Sequence, residues 1–136
     1  MDIVVNPKLN KSELINLFEK INRDMDMDEL DNLRKGLKKS YVIAAYENKK
    51  LIGMVRALSD YSTLVYIQDL IIVPEYRGLR VGKTLMHHLL NYFGAIEQVV
   101  VSPLINTEDE KFYRYLGFYP GSDRGLETYL VDHRAK

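Results

Sequence analysis

Residues 70–85 read LIIVPEYRGLRVGKTL, and the fold is decided by how this stretch changes character along its length. An apolar run reaches Pro74, which stops a strand because proline cannot donate to a sheet ladder. A basic loop follows and opens directly into a helical repeat. Val81, Leu85, Leu89 and Tyr92 form one stripe, widened by Met86, Leu90 and Phe93, so a helix is predicted from about Leu79 to Phe93 with Gly94 ending it. Backbone N–H groups at a helix N-terminus carry partial positive charge and lack intrahelical acceptors. Gly78 and Gly82 allow a ligand to approach closely, and Arg77, Arg80 and Lys83 add full charges. The segment Arg77, Gly78, Leu79, Arg80, Val81, Gly82, Lys83, Thr84 therefore reads as a phosphate cradle, the plain alternative being a solvated helix start. Neither GxxxxGK[ST] nor GxGxxG is present, which sets the two best-known nucleotide motifs aside.

Working outward, the strand that ends at this turn runs from Leu64 to Val73. Upstream, YVIAAY, the polar turn ENKK and LIGMVRAL read as an antiparallel pair, with SDYST turning into the third strand. Downstream, IEQVVV at 96–101 reads as a strand parallel to the Leu64 strand, completing a strand, helix, strand crossover. A helix from about Thr107 to Leu116 stops at Gly117, and Phe118–Tyr119 with Thr128–Val131 supply two short strands around GSDRG. At the other end, residues 2–5 form a strand. Leu14, Leu17, Phe18 and Ile21 recur at helical spacing behind Ser12 as N-cap. Met27, Leu30, Leu33 and Leu37 mark a second helix, acidic at Asp26 and Asp28 and basic at Lys38 and Lys39 as the helix dipole favours. The order β α α β β β α β α β β describes an α/β (α+β) chain: a mixed, mostly antiparallel sheet of six to seven strands flanked by about four helices.

No repeat, low-complexity tract or linker divides the chain, so a single domain over 1–136 is expected. Nineteen basic and nineteen acidic residues cancel, removing the broad positive field that nucleic-acid or anionic-membrane binding would use. The absence of cysteine excludes disulfides, thiolate metal sites and a cysteine nucleophile. His87 and His88 are helix neighbours and His133 stands near the C-terminus, so no metal site is expected. The start MDIVVNPKLNKSEL lacks the pattern of a secretion signal, and a cytoplasmic location is the default.

With these segments quoted, the chain resembles the GNAT superfamily, whose central motif [QR]xxGx[GA] follows an LxVxP strand end. The counterparts here are LIIVP at 70–74 and RGLRVG at 77–82. Arg80 stands where the family's middle glycine is usual. The segment NTEDEKFYRYLGF at 106–118 resembles the family's NxxAxxFYxKxGF helix, with Asn106, Phe112, Tyr113, Gly117 and Phe118 matching and Asp109 departing. The pieces from Val42 to Phe118 look especially like small arylalkylamine-type acetyltransferases.

The resemblance implies an enzyme that moves the acetyl group of acetyl-CoA to a primary amine, on a small molecule or a protein, by direct attack in a ternary complex. It implies no metal. Splaying near LxVxP would free the backbone of Leu70, Ile71 and Ile72 for pantetheine and the thioester oxygen, and amides from Gly78 to Lys83 would hold the pyrophosphate, with Thr84 as a further donor. Asn106 and Phe112 would contact the cofactor. Tyr113 is the candidate acid, since a phenol of pKa about 10 is neutral at pH 7 and can protonate a departing thiolate; packing against the sheet is its plain alternative. The glutamates that some relatives use as base correspond to Val101 and Gln68, neither of which takes a proton. Asp69, on an alternating face with Val65, Ile67, Ile71 and Val73, is the candidate base, because desolvation there disfavours its charged form. A structural aspartate, Asp60, and no protein base at all are the alternatives. A homodimer through the C-terminal strands is common among relatives. Competing functions are a non-catalytic acetyl-CoA-binding regulatory module and a protein-interaction domain.

Overall fold

β-Branched and aromatic residues dominate the middle of the chain, where a pleated surface suits them. In the computed structural model, which describes residues 1–103 and 110–134, the chain falls into two units, Met1–Pro103 and Leu104–Lys136. The first unit contains β1 (Asp2–Val5), α1 (Lys11–Lys20), α2 (Met27–Lys38), β2 (Tyr41–Glu47), β3 (Lys50–Ser59), β4 (Leu64–Ile72), α3 (Val81–Tyr92) and β5 (Gln98–Val101). The strands lie in the order β1-β2-β3-β4-β5. The first four are antiparallel, and β4 pairs β5 in parallel, joined through α3.

The register assigns the two faces. Leu14, Leu17 and Phe18 of α1 and Leu30 of α2 share a core cluster with Val42, Ala44, Met54 and Ile71. Residues one step away, such as Ile43, Val55 and Ile67, are also buried and face the other way, where α3 packs on β2, β3 and β4. Gly53 marks a tight crossing: a Cβ there would stand 3.1 Å from the Ile71 carbonyl oxygen and 3.4 Å from Leu85 Cδ1.

Helix boundaries follow capping chemistry. Asn10, not Ser12, caps α1: its side chain accepts from the Glu13 amide at 2.8 Å, and the Glu13 carboxylate accepts from the Asn10 amide at 3.2 Å. Asp26 caps α2 by accepting from the Glu29 amide at 2.8 Å. α3 begins two residues later than the periodicity suggests, because Arg80 is left-handed at φ 67° and cannot be a helical residue. Tyr92 lies off the buried stripe, exposed and stacked on Tyr41 at 4.1 Å.

In the second unit α4 spans Glu110–Tyr115. It ends in a Schellman motif: the Phe118 amide donates to the Tyr113 carbonyl at 2.9 Å, the Gly117 amide to Arg114 at 3.0 Å, and Gly117 takes φ 100°. A single 3₁₀ turn follows at Gly121–Arg124. The two strands expected at 118–119 and 128–131 do not form, and Tyr129, Leu130 and Val131 are left exposed. β-propensity alone does not make a strand where no ladder partner is supplied. The fold is thus the expected mixed α+β architecture with five strands and four helices among the described residues, rather than six or seven strands. Among those residues no helix is long and apolar enough to cross a membrane.

Candidate functional site

β4 is two different strands in one. From Val65 to Ile67 it is paired on both sides, with β3 and with β5, and Leu64 pairs Gln98 of β5. Beyond Ile67 the β5 pairing stops, closed by the Ser102 amide donating to the Ile67 carbonyl at 3.4 Å. On the β3 side, Met54 faces Ile71 and Arg56 faces Gln68, so Asp69 and Leu70 together oppose Val55. This is a β-bulge, which leaves an extra residue outside the ladder. Asp69 takes φ 58° within it. The carboxyl half of β4 thus carries backbone groups without strand partners among the described residues on the β5 side, as the resemblance implies for Leu70, Ile71 and Ile72. Ile71 and Ile72 are buried and Leu70 is half-buried.

The bulge also corrects the alternation read from sequence. Counting by twos placed Asp69 and Ile71 with Val65 and Ile67, but the inserted residue reverses the phase. Val65 and Ile67 share the face of Val55, whereas Ile71 packs with Met54 in the α1/α2 cluster. The Asp69 carboxylate pairs with Arg56 Nε at 2.8 Å and lies 3.8 Å from Arg23 Nη1, so its surroundings are cationic rather than apolar.

At the end of β4, the Val73 amide donates to Ile52 and a 3₁₀ turn spans Pro74–Tyr76. Arg77 Nε donates back to the Ile72 carbonyl at 3.3 Å, tying the turn to the strand. Gly78 takes φ 78°, and no atom of the described residues lies within 4 Å of where a Cβ would stand, so its role is conformational and not one of space. Arg77, Gly78, Leu79 and Arg80 are exposed, Val81 and Gly82 are buried, and Lys83 and Thr84 are intermediate. The first rung of α3 is the Thr84 amide donating to Arg80 at 3.0 Å, so the amides of Val81 and Gly82 precede the intrahelical ladder. Among the described residues no side chain caps them, and no acidic residue stands in the first turn. The Thr84 hydroxyl donates to the Arg80 carbonyl at 2.8 Å, so its proton is committed within the helix.

Asp60, the other carboxylate considered as a base, closes the β3–β4 turn. The Thr63 hydroxyl donates to it at 2.5 Å, and the Ser62, Thr63 and Leu64 amides donate at 2.9, 2.8 and 3.2 Å. The Thr63 hydroxyl and then these amides hold its carboxyl well below the usual carboxylate range. Such an anion is a poor proton acceptor.

In the second unit, Tyr113 is buried and packs edge-on against Phe112, with centroids 5.1 Å apart, and Phe118, 6.0 Å apart. Asn106 lies outside the described residues. His87 and His88 are exposed, and among the described residues no group of three His, Cys, Asp or Glu side chains could hold a metal. The bulge and the Arg56–Asp69 pair were missed by sequence reasoning; an acid in the middle of an apolar strand, facing an arginine in the preceding one, was the available signal.

A family model described as the acetyltransferase (GNAT) family matches residues 11–118. The chain belongs to the GNAT acetyltransferase family. As a GNAT protein it is 27% identical to an uncharacterized N-acetyltransferase of Pyropia yezoensis over 140 aligned positions, covering 89% of this chain and 80% of the other. A histone acetyltransferase of Glycine max is 32% identical over 101 positions, covering 65% of this chain and 44% of that longer protein. A GNAT-family acetyltransferase from Streptococcus pneumoniae superposes with TM-score 0.81 at 23% identity, covering 98% of this chain and 100% of the other. That last likeness is one of fold.

Proposed function

We propose that this GNAT acetyltransferase moves the acetyl group of acetyl-CoA to a primary amine by direct attack within a ternary complex. The observation that carries the reading is the uncapped start of α3, where free amides and Arg77, Arg80 and Lys83 follow directly from the half-paired end of β4. A diphosphate fits amides and cations arranged this way. The β4 backbone at Leu70, Ile71 and Ile72 lies alongside the pantetheine arm, and an amide of the bulge donates to the thioester oxygen as it becomes an oxyanion. The amine nitrogen bonds to the carbonyl carbon, the C–S bond breaks, and Tyr113 gives its phenolic proton to the thiolate, as the family resemblance assigns. Asn106 and Phe112 contact the cofactor on the same ground. With Asp60 held as an anion by four hydrogen bonds and Asp69 engaged by Arg56, the amine's proton leaves through solvent.

Thiol release from acetyl-CoA with a panel of small amines and lysine peptides is the direct test. Binding without release would select a regulatory acetyl-CoA-binding module, and neither binding nor release would defeat both readings. Tyr113→Phe is expected to lower kcat about a hundredfold, within the range of a general acid, while leaving the Kd for acetyl-CoA within about twofold. Unchanged turnover would remove the phenol from the chemistry.

A further inference from the structure

We infer that Asp69 is a positioning residue: gripped by Arg56, it fixes the backbone of the β4 bulge, and Gly36 of α2 leaves the room in which that grip forms. The inference rests on the acetyl-transfer reading only in identifying what the bulge is for.

Five observations converge. Asp69 is a side-chain-bearing residue held at φ 58°, a conformation that L-residues resist, though aspartate resists it less than most. Its side chain is nearly buried, at 10% exposure, and Oδ2 accepts a hydrogen bond from Arg56 Nε at 2.8 Å. Arg56 also reaches Gln68 Oε1 through Nη2 at 3.4 Å, so one guanidinium holds Asp69 in the bulge and Gln68 just before it. Arg23, in the α1–α2 connection and stacked over Phe18 at 5.2 Å, places Nη1 3.8 Å from Oδ1. Finally, a Cβ on Gly36 would stand 3.2 Å from Arg56 Nη1. Glycine is a poor helix former, and its presence here lets α2 pass the guanidinium closely.

A general base needs an unengaged lone pair aimed at the amine. Here one carboxylate oxygen accepts a guanidinium hydrogen bond and the other faces a second guanidinium. A bulge without this anchor could relax to negative φ at residue 69 and turn the adjoining amides away from a thioester. Side-chain charge in this cluster acts through main-chain geometry.

The test uses the full chain with Asp69→Asn, Arg56→Met, the double variant and Gly36→Ala, the last shifting the guanidinium by a few tenths of an ångström without removing any charge. Hydrogen exchange at the Ile71 and Val73 amides on the β3 side of the bulge, the latter donating to Ile52, is read first, without ligand. Asp69→Asn and Arg56→Met are expected to speed it about tenfold or more while core amides such as Leu85 hold, since local opening is separable from global unfolding. In turnover, each lowers kcat by about tenfold to a hundredfold, the scale of ångström misplacement. The acidic limb of the pH profile stays where it is, the KM for acetyl-CoA moves little, and the double variant is no worse than the poorer single one. Gly36→Ala falls between these and wild type. Loss of the acidic limb in Asp69→Asn with full kcat in Arg56→Met would make Asp69 the base and overturn the inference. Unchanged exchange in both variants would overturn it as well. If wild-type protein releases no CoA, the acetyl-transfer reading fails, while the exchange data still decide the clamp.

Discussion

The starts of α2 and α3 pose the same physical problem and solve it in opposite ways. Both leave backbone amides without intrahelical acceptors. α2 supplies its own: Asp26 accepts from the Glu29 amide, and Asp28 and Glu29 put negative charge in the first turn. Among the described residues α3 is given none, and Arg77, Arg80 and Lys83 flank its open amides in sequence. The β3–β4 turn behaves like α2, with Asp60 gathering three amides. Where a segment has only to fold, side chains of the chain close its donors. Where, on the proposed function, it holds an anion, the donors stay open and the nearby cations add to their pull on it.

Giving α3 the anion it lacks should break the contrast most. Arg80→Asp removes a cation and sets a carboxylate against the amides; the Kd for acetyl-CoA is expected to rise about a hundredfold, consistent with losing a charge-assisted contact worth about 1.5–3 kcal/mol, measured by calorimetry. A paired substitution separates strain from function. Gly78→Val and Lys49→Val each force a β-branched residue to positive φ, at 78° and 66°; the first should cost about 1–2 kcal/mol of stability, and the second less, because Lys49 already bears a Cβ there. Only Gly78→Val should weaken acetyl-CoA binding, by about tenfold, because only that turn aims its amides at a ligand; equal weakening by both would mean that the cradle is nothing more than a fold element. Asp26→Ala should lower stability by about 1 kcal/mol in urea denaturation and leave the acetyl-CoA Kd unchanged. The smallest effect concerns Asp60. Its folded carboxyl titrates below its unfolded value, so the stability it contributes is present above about pH 4 and is lost as pH falls through the folded value. The Tm difference between wild type and Asp60→Ala should therefore be full at pH 7 and shrink below pH 4.

The parts of this molecule governed by local chemistry were legible. Pro74, the glycines at 78 and 82 and the apolar stripe of α3 announced a strand, a turn and a helix, and Gly117 announced the Schellman end of α4. What was hidden depends on counting and on partners. Alternation by twos is blind to an inserted residue, so the bulge put Asp69 beside Arg56 instead of in an apolar face. Ser12 looked like a cap because it precedes the first leucine, yet Asn10 has Glu13 at the spacing that a reciprocal pair needs. Tyr129, Leu130 and Val131 have strand-like side chains, but a strand is a relation between two segments, and none of the described residues pairs with them there.

The bulge at Asp69 and the open amides of α3 have one more consequence, because they lie at opposite ends of one segment, the last residues of β4 and the turn at Pro74–Tyr76. On the proposed function, a molecule gripped at both ends must span that segment, with its acyl carbon at one end and its phosphates at the other. Acetyl phosphate, with the two groups adjacent, is too short to engage both ends at once, so this strand segment works as a gauge that selects donors by reach before any side chain inspects their chemistry.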